Sequence, residues 1–486
     1  MRRVDEQFEK TYGSLPEKVL QIGEGNFLRA FADWIVETAN RQGIFNGSVV
    51  IAQPLADGLC DAINAQNAMY TVLMRGVENG AVVERAERVT SVSRCLNPYK
   101  DYAALVEAAC ADSMEVVISN TTEAGIAYRE GDRPTDEPPV SFPAKLTALL
   151  YARFRRFNGA QDKGLLILPV ELIERNGDNL KQIVHRYASE WALGEDFIAW
   201  LNTACCFANT LVDRIVTGFP RDEYTALSAA LGYEDPLLVT CEPFLFWVIE
   251  CEKRFAARFS VDAIGLNILF TEDMTPYRTR KVRILNGAHT LSVLAAYLAG
   301  HDIVLEMMGD PLFSRAIRTA LFEEIIPTID LPRDDLEEYA AAVLERFENP
   351  FIKHRLLDIS LNSVSKYKAR CLGSLLDYAQ NRQALPPLLC FGLAALIRFY
   401  RGEFADGRYI GRRGEETYEI RDDAEVLAAM HEAWNASDTV TAVLGNTAFW
   451  GRDLTAVNGL ADAVGAHLNA IDTYGAAGAL RLAVQP

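Results

Sequence analysis

The stretch from Lys18 to Arg29 constrains the fold more than any other part of this sequence. A short apolar run is followed by a Gly-x-Gly turn and then by a segment of helical character. This order of strand, turn and helix is typical of the first unit of a dinucleotide-binding fold. Gly23 permits the tight turn, and Gly25 allows the backbone to approach a pyrophosphate at the start of the helix. The third glycine of the usual pattern is absent, since Leu28 stands in its place.

Up to about residue 275, short apolar runs alternate with helical stretches, as buried parallel strands and their crossover helices do. The predicted strands are Lys18–Ile22, Val49–Gln53, Glu115–Ser119, Gly164–Pro169 and Leu266–Phe270. The predicted helices between them include Asp101–Ala111 and Ala144–Arg156, and the Gly-, Pro- and Asp-rich stretch 128–139 predicts a surface loop. The fold class is therefore α/β, with an N-terminal Rossmann-type dinucleotide-binding domain over residues 1–275.

After about residue 276 the strand signals fade, and the pattern predicts a mainly α-helical C-terminal domain over residues 276–486. The predicted helices are Ala288–Gly300, Asp310–Glu324, Leu336–Phe347 and Pro387–Tyr400. The polar, Gly-rich stretch 401–423 predicts a loop or a small hairpin. In open α/β folds, ligands bind at the carboxyl ends of the strands and at domain boundaries. We therefore expect the functional site in the crevice between the two domains.

Composition excludes several classes of function. The chain has 486 residues, of which half are hydrophobic, and a net charge of −18, which opposes nucleic-acid binding. No apolar run of about 18 residues predicts a membrane span, and the N-terminus lacks the apolar core of a signal peptide. The nine cysteines form no Cys-x-x-Cys pair, and the six histidines are scattered without a zinc-type cluster. These features predict reduced thiols in a cytoplasmic protein, with no metal.

One segment carries the residue types that ketone reduction needs. Lys281, Asn286 and His289 stand at i, i+5 and i+8. In an α-helix, Asn286 lies about 140° and His289 about 80° around the axis from Lys281, so all three share one face. Lysine can give the ketone oxygen a proton, while asparagine and histidine can donate hydrogen bonds to the oxygen as it gains charge. The same spacing is also compatible with a solvated helix face and a structural histidine.

The same segment is locally basic in an acidic protein. Arg278, Arg280, Lys281 and Arg283 lie within six residues, and such a cluster can attract an anionic substrate that the net charge repels. Burial and the neighbouring arginines are expected to lower the pKa of Lys281. The alternative is a surface patch that offsets the nearby acidic residues 272 and 273.

Both motifs together resemble those of the mannitol dehydrogenase family of long-chain, metal-independent polyol dehydrogenases. The resemblance extends in order along most of the chain, through the segments 121–125, 209–215, 242–244 and 346–350. Segments 23–31, 119–126 and 212–223 are most similar to the branch of the family that interconverts tagaturonate and altronate. The resemblance implies an NAD-dependent enzyme of bacterial hexuronate catabolism. It assigns Lys281 as the general acid–base, Asn286 as the oxyanion donor and His289 as the residue that orients the substrate.

The expected binding residues follow from the motifs and from this resemblance. The cofactor-binding residues are expected to be Ile22, Gly23, Glu24, Gly25, Asn26, Phe27, Arg29, Asn120, Thr121, Glu123 and Asp213. The residues expected to bind a substrate carboxylate are Arg278, Arg283, Lys366 and Arg370. Each of the last two is also compatible with a solvated helix face, and Asp213 with a structural ion pair to Arg214. The second strand ends in Gln53-Pro54 rather than in the acidic residue that binds a ribose hydroxyl, so the expectation of NAD rests on the resemblance.

The chain departs from the mannitol-type pattern at two positions. Those enzymes carry a second oxyanion asparagine after a core strand, where this chain has Val170-Glu171-Leu172. Asn176, in an Asn-Gly turn, is not an obvious replacement. Mannitol-type enzymes also carry a proton-relay glutamate three residues before the lysine, where this chain has Arg278. An arginine there suits a substrate that bears a carboxylate.

Two alternatives remain beside the interconversion of tagaturonate and altronate. The first keeps the fold and changes the substrate to fructuronate and mannonate, or to mannitol or another polyol. The second is a non-catalytic sensor that binds a dinucleotide, which would have no need for the Lys281, Asn286 and His289 set. Neither nucleic acid nor a membrane is an expected partner.

Overall fold

The computed structural model describes residues 1–122 and 124–484. The chain forms two compact units, the first comprising residues 1–78 and 82–274 and the second comprising residues 79–81 and those from 275 onward. The first unit combines parallel strands with helices, and the second is mainly α-helical. The predicted fold class is therefore confirmed.

A six-stranded parallel sheet forms the centre of the first unit. Its order is Val92–Leu96, Ser48–Ala52, Glu17–Ile22, Val116–Ser119, Leu166–Pro169 and Cys206–Phe207. Numbered along the chain, this is the order 3-2-1-4-5-6 of dinucleotide-binding folds. The chain reverses direction across the sheet between the first and fourth strands. The loops at their carboxyl ends therefore open at this switch point.

Apolar side chains cover both faces of this sheet, because successive residues of a strand point to opposite sides. Val19, Val49 and Ile51 belong to one hydrophobic core, and Leu20 and Val50 belong to another on the opposite face. The helices of this unit are Val4–Gln7, Asn26–Ala30, Ala32–Arg41, Cys60–Ala65, Tyr102–Ala109, Phe142–Arg156, Asn176–Glu190, Glu195–Thr203, Tyr224–Leu231 and Lys253–Ala256, with 3₁₀ turns at Gln161–Lys163 and Val261–Ile264.

The sequence pattern did not predict two smaller sheets in the first unit. One comprises Val216–Gly218, Val239–Cys241, Tyr70–Glu78 and Ala81–Val89, and the other Ile268–Thr271, Phe246–Glu250 and Asn209–Asp213. The predicted strand near residue 268 exists, but it belongs to the second of these and not to the central sheet. An Asn-Gly turn joins the two long strands, with positive φ at Asn79 and Gly80. Asn-Gly is a strong hairpin signal that the sequence reasoning missed.

The second unit consists of helices and one small sheet. The stretch 401–423 forms three antiparallel strands, Gly402–Ala405, Arg408–Arg413 and Glu416–Glu419, where a loop or small hairpin was predicted. The α-helices are Thr275–Arg280, Gly287–Leu298, Val304–Gly309, Pro311–Thr319, Arg333–Phe347, Leu356–Ile359, Ser363–Arg370, Leu372–Arg382, Pro387–Phe399, Ala424–Trp434, Thr439–Leu444, Thr447–Trp450 and Leu460–Ala483. Two segments are π-helical, Lys281–Asn286 and Ala320–Ile325, and two are 3₁₀ turns, Ile326–Thr328 and Leu454–Ala456.

Two properties of the described residues bear on function. Within 1–122 and 124–484, no helix is both long and apolar enough to cross a membrane. In the same part of the chain, no group of three or more His, Cys, Asp and Glu side chains is arranged to hold a metal ion.

Candidate active site

The glycine turn lies at the switch point of the central sheet. Gly23 follows the first strand directly, has a φ of +124°, and donates its amide hydrogen to Ala52 O at 2.9 Å. A Cβ atom on Gly23 would lie 2.9 Å from the backbone oxygen of Asn120, and the amide of Asn120 in turn bonds Ile22 O at 3.1 Å. The structure thus brings Gly23 and Asn120 together, and only glycine fits at this point.

Gly25 differs from Gly23, because the protein itself does not require a glycine there. Its φ of −66° and ψ of 168° suit any residue, and a Cβ atom built on it would meet nothing within 4 Å. It lies immediately before the helix Asn26–Ala30. The open space over this backbone fits the close approach of a pyrophosphate. The residues of the turn therefore fit a dinucleotide.

Contacts within the protein account for four other residues of the turn, which are Ile22, Asn26, Phe27 and Arg29. Arg29 is only 2% exposed, donates hydrogen bonds to Asn26 Oδ1 at 2.7 Å and Glu24 O at 3.2 Å, and lies over the Tyr70 ring at 5.2 Å. Phe27 stacks on Phe31, with 4.9 Å between the ring centroids. Ile22 is buried in the core. The contacts of Arg29 favour a role in holding the turn rather than direct contact with a cofactor.

The loop after the second strand is held by amide and carboxylate groups. Gln53 donates hydrogen bonds from Nε2 to Leu55 O at 2.7 Å and to Ala56 O at 3.0 Å. Its Oε1 accepts the amide hydrogen of Cys60 at 3.0 Å. The carboxylate of Glu24 reaches this loop, where it accepts the Leu59 amide hydrogen at 3.4 Å, and burial raises the pKa of Glu24. Glu24 thus connects the glycine turn to the loop that follows the second strand.

Three buried polar residues next to the glycine turn, Gln21, Asp33 and Tyr70, were not predicted from the sequence. Gln21 Nε2 donates to the carbonyl oxygen of Gly23 at 3.0 Å and to Asp33 Oδ2 at 3.3 Å. The Tyr70 hydroxyl donates to the same Asp33 oxygen at 2.5 Å. Complete burial raises the pKa of Asp33 to about 7. The glycine turn therefore rests on a hydrogen-bonded network that is linked to a titratable carboxyl group.

Glu171 holds the loop that follows the fourth strand of the sheet. Its carboxylate accepts hydrogen bonds from Ser119 Oγ at 3.1 Å, from Thr121 N at 2.9 Å and from Thr121 Oγ1 at 3.0 Å. It is almost fully buried, and burial raises its pKa. Where mannitol-type enzymes carry an oxyanion asparagine, this chain thus has a carboxylate that positions a predicted cofactor loop. Glu123, predicted in the same loop, lies outside the described residues.

Asn176 has a structural role. The predicted Asn-Gly turn is wrong, because Asn176 is the first residue of the helix Asn176–Glu190. Its side-chain amide donates to Pro169 O at 2.8 Å and Glu171 O at 3.1 Å, and its Oδ1 accepts the Thr210 amide hydrogen at 2.8 Å. With its donors directed at backbone oxygens, Asn176 does not replace the missing oxyanion donor.

Asp213 and Arg214 lie at the end of a strand of the small sheet. Asp213 is 7% exposed, and Phe246 lies opposite it on the neighbouring strand. Arg214 donates hydrogen bonds to Glu242 O at 3.0 Å and Ala30 O at 2.8 Å, and it lies over the Trp34 ring at 4.6 Å. The Ala30 oxygen ends the helix that follows the glycine turn. Arg214 therefore ties this strand to that helix.

In the second unit, the Lys281, Asn286 and His289 set does not lie on a regular α-helix. Lys281–Asn286 is π-helical, and the Gly287 amide donates to Val282 O, five residues earlier. The α-helical geometry predicted for this segment is therefore wrong. A π turn holds more residues than an α turn, so five residues come closer to one full turn. Lys281 and Asn286 consequently lie nearer to the same side of the helix than the predicted 140° implied.

Two aromatic rings fix the position of the His289 imidazole. The Phe347 ring stacks on it with a centroid distance of 4.1 Å and an interplanar angle of 13°. The His354 ring meets it edge to face at 5.5 Å and 83°. Burial lowers the pKa of His354, with a smaller contribution from Lys366. Phe347 belongs to the Arg-Phe-Glu-Asn-Pro segment noted in the sequence, whereas His354 was missed.

The three arginines beside Lys281 do not form one open basic patch. Arg283 donates to Asp377 Oδ2 at 2.7 Å and Thr328 O at 3.0 Å. Arg280 lies over the Tyr339 ring at 4.5 Å. Arg278 is half-buried in the helix Thr275–Arg280. The contacts of Arg283 disfavour the prediction that it binds a substrate carboxylate, because its guanidinium already pairs with one.

Lys366 and Arg370 lie close to the helix that carries His289. Arg370 donates to Thr290 Oγ1 at 3.2 Å, and its backbone oxygen lies 3.3 Å from where a Cβ atom on Gly287 would be. Lys366 donates to Ile359 O at 2.9 Å. Burial lowers the pKa of both side chains, and the Arg370 charge further lowers that of Lys366. They form a half-buried cationic pair rather than the fully solvated face that was the alternative.

The sheet order, the open glycine turn and a helical unit with a lysine, an asparagine and a histidine are features of dinucleotide-dependent dehydrogenases. Two family models match the chain: the mannitol dehydrogenase Rossmann domain over residues 17–263 and the mannitol dehydrogenase C-terminal domain over residues 273–472. The chain therefore belongs to the mannitol dehydrogenase family.

Individual relatives agree with this assignment. The chain is 46% identical over 480 residues to altronate oxidoreductases of Klebsiella pneumoniae (strain 342) and Escherichia coli O7:K1, covering 97% of each chain. A D-sorbitol dehydrogenase shares the fold at 20% identity and a TM-score of 0.81, covering 99% of this chain and all of its own. Pseudomonas fluorescens mannitol 2-dehydrogenase, solved with NAD and D-mannitol, shares it at 19% identity and a TM-score of 0.68, over 98% and 96% of the two chains.

Proposed function

We propose that the chain catalyses the NAD-dependent interconversion of tagaturonate and altronate in hexuronate catabolism. The observation that carries this proposal is its similarity to altronate oxidoreductases along nearly the whole length of both chains. The nine cysteines are free thiols, which suits the reducing cytoplasm in which we place the enzyme.

The cofactor would be held by the first unit. Gly23 and Gly25 would give the pyrophosphate access to the backbone, and Asn120 and Thr121 would border the cofactor at the switch point. The nicotinamide supplies the hydride when bound. Arg29, Gln21 and Glu171 would act indirectly, since each holds the backbone or side chains of these loops through the hydrogen bonds described above.

Residues of the second unit would transfer the proton to and from the carbonyl oxygen and stabilise the charge that develops on it. Lys281 gives a proton to the ketone oxygen during reduction and takes the proton from the alcohol during oxidation. Asn286 donates a hydrogen bond to the same oxygen as negative charge develops on it. His289, with its ring held by Phe347 and His354, orients the substrate through a hydroxyl or the carboxylate. No metal is required by these steps.

The substrate carboxylate would bind to Arg370 and Lys366. Unlike Arg283, neither side chain forms an ion pair with a carboxylate among residues 1–122 and 124–484. Both are half-buried, so each is only partly hydrated. A carboxylate supplied by the substrate would compensate both charges, and a guanidinium can bind it with two parallel hydrogen bonds. This assignment explains how an acidic protein accepts an acidic sugar.

The test is the rate of NADH oxidation with tagaturonate, fructuronate, fructose and a buffer blank in parallel, with and without a chelator. We expect turnover with tagaturonate far faster than with neutral ketoses, unchanged by chelation and slower with NADPH. Equal rates with fructose would contradict the acid-substrate assignment. Faster turnover with fructuronate would assign the enzyme to the mannonate branch. NADH binding without turnover of any substrate would favour a sensor.

A further inference from the structure

The π-helical turn at Lys281–Asn286 needs support from its surroundings. Such turns are rare, mostly occur as single turns inside α-helices, and are frequent at functional sites. The segment itself contains no glycine or proline that would disrupt a regular helix. Its irregular geometry must therefore be stabilised by contacts with other parts of the second unit.

Arg283, in the middle of the π turn, makes these contacts. Its Nη1 atom lies 2.7 Å from Asp377 Oδ2, 3.0 Å from Thr328 O and 3.3 Å from Thr328 Oγ1. Asp377 belongs to the helix Leu372–Arg382, and a Cβ atom on Gly373 of that helix would lie 2.9 Å from Arg283 Nη2. Gly373 thus leaves the space through which the guanidinium passes.

Thr328 connects Arg283 to the second π segment of this unit. Its hydroxyl donates to the backbone oxygen of Ile325 at 2.7 Å, and Ile325 is the last residue of the π-helical segment Ala320–Ile325. The same hydroxyl lies 3.2 Å from Ser374 Oγ, which is fully buried. Through Thr328, the guanidinium is therefore linked by hydrogen bonds to the end of the second π segment and to the buried Ser374.

We propose that Arg283 is a positioning residue whose pairing with Asp377 and Thr328 holds the π turn, and thereby sets the spacing of Lys281 and Asn286. The catalytic part of this inference rests on the proposed function. It assigns Asp377, Thr328 and Gly373 as indirect determinants of turnover, although none of them carries a group that reacts. It also removes Arg283 from the residues that bind the substrate carboxylate.

The variant Asp377→Ala separates the two roles of Arg283. If Arg283 holds the π turn, loss of its partner lowers kcat by roughly 10- to 100-fold, the effect of a displacement of about 1 Å at a reacting group. The Kd of NADH stays unchanged. If Arg283 instead bound the substrate, Asp377→Ala would free it, leaving kcat intact and the KM for tagaturonate equal or lower.

A second readout does not depend on activity. Hydrogen exchange of the amides in 281–287, measured by mass spectrometry, should be faster in Asp377→Ala than in the wild type. The matched control is Asp472→Ala, which removes the Arg398–Asp472 pair of the same unit. That pair has a 2.9 Å contact and side chains 23% and 38% exposed, against 21% and 43% for Arg283 and Asp377. The control should change neither quantity.

Unchanged exchange in 281–287, or a normal kcat in the Asp377→Ala variant, would overturn the inference. Asp377→Asn, which keeps the shape and one acceptor of the side chain, should show both effects in weaker form. If the wild-type enzyme turned over no tested substrate, the proposed function would fail, whereas the exchange comparison would still decide whether Arg283 holds the π turn.

Discussion

The glycine turn of the first unit and the π turn of the second unit are both departures from regular backbone, but they are held in opposite ways. Gly23 adopts its φ of +124° because it has no side chain, and Gly25 leaves open space above the backbone. The π turn keeps its shape because Arg283 bonds to Asp377 and Thr328. Adding atoms should therefore disrupt the first region, whereas removing atoms should disrupt the second.

The largest effect is expected when the reacting group itself is removed from the π turn. Lys281→Ala should lower kcat by a factor on the order of 10² to 10⁴, the usual contribution of a general acid–base. Steady-state NADH oxidation with tagaturonate measures this, with the exposed Lys253→Ala as the control variant. Small amines added to the assay should restore part of the rate. A folded Lys281→Ala enzyme with normal turnover would exclude Lys281 as the proton donor.

Asn286→Ala should have the next largest effect. An oxyanion donor contributes about 3 kcal/mol, so kcat should fall by roughly 10² while the KM for tagaturonate changes little. With Asn176 bonded to backbone oxygens and the Glu171 carboxyl group bonded to Ser119 and Thr121, Asn286 is expected to carry this role without a second asparagine. A loss seen in KM alone would assign Asn286 to ground-state binding instead.

A smaller effect, and one on binding rather than on turnover, is expected at the cationic pair. Arg370→Gln should raise the KM for tagaturonate by roughly 10- to 100-fold, since a hydrogen bond to a charged group contributes about 1.5–3 kcal/mol. The kcat should change less. Arg382→Gln, an exposed arginine of a nearby helix, is the control. An unchanged KM would return Arg370 to a structural role.

The last expected effect is on stability, and it concerns a carboxyl group in the second π segment. Glu324 accepts the amide hydrogens of Leu388 and Leu389 at 2.8 and 2.9 Å, and burial raises its pKa from 4.5 to about 7. Between these values the folded protein holds a proton that the unfolded chain has lost. The free energy of unfolding should therefore fall as pH rises from about 4.5 to 7, by at most about 1.4 kcal/mol per pH unit from this group, and then level off.

The measurement is urea unfolding of Glu324→Gln and of the wild type at pH 5 and pH 8. Asp33 in the first unit has a pKa in the same range, and the comparison separates its contribution to the free energy of unfolding from that of Glu324. The variant should show a smaller loss of stability between the two pH values. An identical pH dependence in both proteins would refute the assignment to Glu324.

The sequence predicted those features of the fold that depend only on residues close together in the chain. The apolar runs located four strands of the central sheet to within two residues at each end, and Gly23 located the turn, because a local pattern suffices for both. The π turn could not be predicted, since it depends on Asp377, which lies 94 positions from Arg283. The role of Glu171 was hidden for the same reason, because its partners Ser119 and Thr121 meet it only across the folded sheet.

The most direct test of the central comparison is one measurement, the titration of NADH into Gly25→Ala and Lys281→Ala in parallel with the wild type. Gly25→Ala adds one methyl group to open space, in a conformation that alanine adopts freely. It should weaken NADH binding by roughly tenfold or more through loss of a charged hydrogen bond, without loss of folding. Lys281→Ala should bind NADH like the wild type. Normal binding by Gly25→Ala, together with weakened binding by Lys281→Ala, would contradict the division of cofactor binding and proton transfer between the two regions.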